Sequence, residues 1–88
     1  MDDNRQYLLK VPVDWDNAII RLSSEAFYML NVIYRLMESV TDESIRDKTG
    51  NGLSKHRKIK KELIVNSYLS VEQVGKSKFK YIVGDIDE

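Results

Sequence analysis

The chain has 88 residues, 42% hydrophobic and 32% charged, and its 14 basic and 14 acidic side chains cancel to a formal net charge of zero. Such a composition excludes a disordered chain and fits one globular domain over residues 1–88 with a modest core, short solvated tails being expected at 1–5 and 85–88. Without cysteine there are no disulfides, no thiol catalysis and no thiolate metal sites, and the acidic start (Asp2, Asp3) with no long apolar run predicts neither signal peptide nor membrane span, so a cytoplasmic location is expected.

Tyr7 to Val13 is rich in Leu and Val and contains Pro12, the only proline. A short strand is expected there, at a sheet edge where a missing N–H is tolerated. Asp14 to Asn17 reads as a turn, with Trp15 packed rather than exposed. Ser23 is a good N-cap, and Glu25 falls in the first turn, where the helix dipole favours a carboxylate. Ala26, Met29, Leu30, Ile33, Leu36, Met37 and Val40 then recur at helical spacing, with Phe27 and Tyr34 beside that stripe. A helix apolar over so wide an arc is expected at the centre of a small core.

Thr41 caps a second helix, Asp42 to Lys48, with Asp42 and Glu43 in its first turn and Ile45 as its core residue. Gly50-Asn51-Gly52 breaks it and permits a sharp reorientation. The third helix is expected over Leu53 to Val65, starting at Gly52 or at Ser54. Ile59 and Leu63 lie one turn apart on it, with His56 extending their stripe. Asn66 or Ser67 ends it, Asn being more tolerant of the left-handed C-terminal position. Tyr68, Val71 and Val74 alternate imperfectly, Gly75-Lys76-Ser77 forms a turn, and Phe79, Tyr81 and Val83 alternate cleanly. That pattern predicts a hairpin with one apolar face. The expected fold is α+β: one strand, three helices and a two-stranded hairpin.

The neutral total hides a polarised charge distribution. Between Lys55 and Lys80 stand Lys55, Arg57, Lys58, Lys60, Lys61, Lys76, Lys78 and Lys80 against only Glu62 and Glu72, leaving +6 there and −6 elsewhere. A helix and a hairpin tip that share such an excess point to a polyanion, and duplex nucleic acid is the commonest one.

Thr41 through Leu69, followed by the hairpin, resembles the winged helix-turn-helix family. Thr49-Gly50 resembles the end of the first helix of that motif and its turn glycine, and Asn51 to Leu63 the turn and recognition helix. Asn66-Ser67-Tyr68-Leu69 looks like the exit into the wing, and Val74-Gly75-Lys76-Ser77-Lys78 like the wing tip. Lys10-Val11-Pro12 with Leu22-Ser23-Ser24-Glu25-Ala26 resembles the strand and first helix of winged domains in plasmid and phage replication initiators and replisome organisers. Three departures stand out: Asn51 in place of an aliphatic turn residue, Ser67 in place of glycine, and Lys60 in place of a buried leucine. The resemblance implies double-stranded DNA as partner, at repeated sites, with a possible homodimer and a replication or transfer protein as further partners. A small transcriptional repressor is the alternative process, and a winged protein-interaction module without DNA binding the alternative class, for which exposed Tyr28 and Tyr34 are the feature to watch.

Duplex binding needs donors near a helix N-terminus for base edges, and cations at its flank for phosphates. Asn51, Ser54, Lys55, Arg57 and Lys58 are the candidates in the first turns. Arg57 suits a guanine, whose two acceptors match the guanidinium fork, while Lys58 and Lys61 suit phosphates. Ser54 reads more readily as a helix cap, and Lys60 as a stem laid over the core edge. At the hairpin tip Lys76, Ser77 and Lys78 are candidates for the minor groove or backbone. Lys80 serves either contact or the protection of an outer strand. His56, the only histidine, reads as a packing residue. No zinc-ligand cluster, phosphate loop or nucleophile pattern is present, so neither an enzyme nor a cofactor, a metal or a small-molecule substrate is expected.

Overall fold

Three side chains start helices. Asp14 accepts from the Asn17 N–H, Ser23 from Ala26 and Thr41 from Ser44, each taking one of the donors that a first helical turn leaves unpaired. In the computed structural model, which describes residues 7–36, 41–76 and 79–86, the order is β1 (Tyr7–Lys10), α1 (Trp15–Arg21), α2 (Ser24–Arg35), α3 (Asp42–Thr49), α4 (Leu53–Val65), β2 (Leu69–Gln73) and β3 (Phe79–Val83). No helix among the described residues is long and apolar enough to cross a membrane.

The strands form one sheet in the order β1-β3-β2. β2 runs antiparallel to β3, pairing Leu69 with Val83 and Val71 with Tyr81, and β1 runs parallel to β3, pairing Leu8 with Tyr81. These residues share one face, because side chains two positions apart point the same way. They pack on Ala26, Met29, Leu30 and Ile33 of α2, Ile45 of α3, and Ile59 and Leu63 of α4. The central residues of that cluster are fully buried, and each aliphatic side chain so removed from water contributes roughly 1.5–3 kcal/mol.

The α+β class agrees with the sequence reading, as do the bounds of α4, the cap at Ser23 and the edge position of β1. Several expectations need correction. Asp14 to Asn17 is the cap and first turn of a fourth helix, not a turn. Its apolar residues concealed it: Ala18 is buried, whereas Ile19 and Ile20 face solvent, so no amphipathic stripe announces a helix. α2 ends at Arg35, since Leu36 is already extended (ψ 137°); Met37 and Val40 lie outside the described residues. The inward register of β2 is Leu69 and Val71, with Tyr68 filling the core just before the strand and Val74 exposed.

Ser67, not Asn66, takes the left-handed position (φ 66°) after α4. Its N–H bonds the Ile64 carbonyl, and that of Tyr68 bonds Leu63 at 2.9 Å. That pair of bonds is a Schellman stop, and the residues at its two ends, Leu63 and Tyr68, are both buried in the core. At the same end of the sheet, just past β3, Gly84 (φ 134°) lies so close to Val11 that any Cβ would meet its carbonyl. Asp85 and Ile86 are fastened as well, Asp85 N–H to Pro12, Ile86 N–H to Ser67, and the Asp85 carboxylate to the Asp14 N–H.

Candidate nucleic-acid interface

Helices α3 and α4 are joined by three residues. Gly50 closes α3 in the left-handed conformation (φ 77°), and extended Gly52 is the N-cap of α4 without a side-chain cap. α4 therefore starts at Leu53, and Ser54 lies one residue inside it rather than at the cap. Thr49 steadies the connection, its hydroxyl accepting from the Asn51 N–H at 3.4 Å, while the Asn51 carbonyl accepts from Arg46.

α4 buries His56, Ile59 and Leu63, at i, i+3 and i+7. The opposite side presents Ser54, Arg57, Lys58 and Lys61, all exposed, with exposed Lys55 on the flank toward α2 and Asn51 half-buried at its head. These six expected site residues thus share one continuous surface. Lys76 is exposed at the hairpin tip, where the Gln73 amide donates to the carbonyls of Gly75 and Lys76 at 3.0 and 3.1 Å. Ser77 and Lys78 lie outside the described residues.

Local carboxylates sort these cations into two groups. Lys55 pairs with Glu25 of α2, both half exposed. Lys60 leaves the surface: its side chain is 19% exposed, its ammonium bonds Asp42 at 2.8 Å, and it lies 5.6 Å from the centre of the Tyr81 ring. Lys80 stands opposite Glu72 on the central strand. Protection of an outer strand is therefore no explanation for it. Arg57, Lys58 and Lys61 pair with no carboxylate among the described residues. Glu62, the one acidic residue of α4, is engaged by α2, accepting from the N–H and hydroxyl of Ser23 at 2.8 and 2.9 Å.

Sequence reading treated Asp42 as a helix-start charge. It is also the hub that ties α3 to α4 and to β3. His56, buried as expected, places Nε2 3.0 Å from the carboxylate oxygen that Lys60 also holds. Burial works to raise the Asp42 carboxyl, but hydrogen bonds and charge from Lys60 and His56 outweigh it and hold the group below its ordinary value. Tyr81 is pushed up to about 12, by burial first and then by the Asp42 carboxylate. The only sequence signal for this cluster is the four-residue spacing of His56 and Lys60, which sets them on one flank of α4.

Against known proteins the chain stands apart: no family model, no curated protein and no solved structure matches it.

Proposed function

We propose that this chain binds double-stranded DNA sequence-specifically as a winged helix-turn-helix protein, with α4 as recognition helix and the β2–β3 hairpin as wing. The observation that supports the reading is the exposed side of α4, where Arg57, Lys58 and Lys61 pair with no described carboxylate while the Glu62 carboxylate is engaged in capping α2. The major groove, about 12 Å wide, accepts a helix. Asn51, Ser54 and Arg57 then meet base edges near the front of α4, and Lys55, Lys58 and Lys61 meet phosphates. Lys76, with Ser77 and Lys78 beyond it, gives a second contact offset from the helix, which fixes orientation on the duplex. The role we assign is that of a cytoplasmic accessory or initiator protein in plasmid or phage replication or DNA transfer, acting at repeated sites as a homodimer.

Arg57 and Lys61 separate reading from gripping. With a site selected from a random duplex pool, Arg57→Ala is expected to reduce preference for that site over random DNA by roughly 1–3 kcal/mol. Lys61→Ala is expected to weaken all duplexes alike. Equal losses on selected and random DNA for both variants would remove Arg57 from the base-reading role.

A further inference from the structure

The flank of α2 that faces away from α4 carries a second feature. Glu25, which pairs with α4, and Phe27 are two residues apart, hence about 200° apart around the helix. Phe27, Asn31 and Tyr34 follow along this far flank at i, i+4 and i+7. They line an open depression of about 440 Å³ together with Trp15 of α1 and Arg35. Among the described residues, none of α4 or of the hairpin contributes to it.

The aromatic wall is fixed in place. Trp15 meets Phe27 and Tyr34 edge to face, with ring centres 5.9 and 5.3 Å apart. The Tyr34 hydroxyl donates to the Val11 carbonyl at 2.9 Å, and the Lys10 ammonium lies 5.7 Å from the centre of the Tyr34 ring. Among the described residues Arg35 is the only charged one of the lining, and it is exposed, so an apolar recess carries positive charge at its edge.

We propose that this depression docks a protein partner, through an acidic peptide segment that presents an aromatic side chain. A recess of this volume takes one large anchor, and interface anchors are most often aromatic. An incoming ring finds aromatic edges and faces to pack against. Arg35 offers a planar fork to a neighbouring carboxylate, and Lys10 adds a second cation that favours an acidic segment over a basic one. Single-stranded nucleic acid fits less well, because it needs flat, open ring faces and a track of cations, whereas these rings pack edge to face and one arginine lines the recess. The site is independent of the DNA reading and lies on another side of α2, so a partner and a duplex can be held together.

Trp15 is the sole tryptophan, so its emission reports occupancy directly. The full chain is titrated with the end-capped peptide Asp-Glu-Phe-Asp-Glu, with the same peptide carrying alanine for phenylalanine, with Lys-Lys-Phe-Lys-Lys and with oligothymidine. A saturable change is expected with the acidic phenylalanine peptide alone, weakened about tenfold by Arg35→Glu and less by Arg35→Lys, which keeps the charge but loses the fork. Melting of each variant checks that the fold is intact, and Arg35→Ala replaces Arg35→Glu if the latter melts early. No saturable change, an equal response to the basic peptide, or a response to oligothymidine would overturn the proposal. Duplex affinity of the Arg35 variant is expected to be unchanged; a parallel loss would show that the two faces are not separate.

Discussion

Gly84 is the position where one methyl group decides most. Its N–H bonds the Tyr68 carbonyl at 3.0 Å while the neighbouring Val83 carbonyl accepts from Val11 at 2.8 Å, so the backbone is held from both sides. With φ at 134° and the Val11 carbonyl in the path of any Cβ, Gly84→Ala combines backbone strain with overlap. A loss of at least about 2–3 kcal/mol is expected from urea unfolding. A variant within about 0.5 kcal/mol of the parent, as for an ordinary surface change, would contradict that close approach. Asp42 supplies a residue-scale test in acid. Its carboxyl is lowered in the folded chain, so folding favours the ionised form; the contribution is full above the unfolded value of 3.8 and disappears as pH falls through the lower folded value. The stability difference between the parent and Asp42→Asn is therefore expected to be constant near neutrality and to shrink below pH 3.8. The same substitution is expected to bring the Tyr81 value down from about 12, visible as earlier tyrosinate absorbance on alkaline titration. An acid limb identical in parent and variant would remove Asp42 as the hub.

Between elements, the decisive contact joins α2 to α4. Glu62 gives Ser23 what a glutamate in the first turn of the same helix usually gives, a carboxylate on the N-cap N–H, but delivers it from another helix. Glu62→Ala is expected to cost about 1–2 kcal/mol, the worth of a charged hydrogen bond at a cap. Its loss should be non-additive with Ser23→Ala in a double-mutant cycle; additive losses would mean that the two side chains act separately. Local patterning made much of this architecture legible. Ile59, Leu63 and the glycines of the connection mark α4 in the sequence itself, because helical spacing and backbone freedom are properties of a few adjacent residues. α1 escaped because Ile19 and Ile20 are exposed, so burial there does not follow hydrophobicity. The partners of Lys55, Lys60 and Glu62 escaped for another reason: Glu25, Asp42 and Ser23 are distant in sequence, and no spacing rule joins them. Counting charge along the chain therefore overstated the basic surface.

At the scale of the whole molecule, three-dimensional pairing refines the +6 segment to a smaller set of cations. Arg57, Lys58 and Lys61 on α4 and exposed Lys76 at the hairpin tip are the described cations on which the DNA proposal rests. The aromatic recess stands apart from them, so one small domain has room for a duplex on one side and a protein on another. The most direct test is the salt dependence of duplex affinity, measured by titrating the full chain with its selected site at several salt concentrations. Each phosphate neutralised contributes about −0.9 to the slope of log affinity against log salt, so the four lysines assigned to phosphates, Lys55, Lys58, Lys61 and Lys76, give a slope of about −3 to −4. Removing Lys61 should make that slope shallower by about one phosphate. A flat salt response, or no binding even at low salt, would contradict the proposal that this chain is a DNA-binding protein.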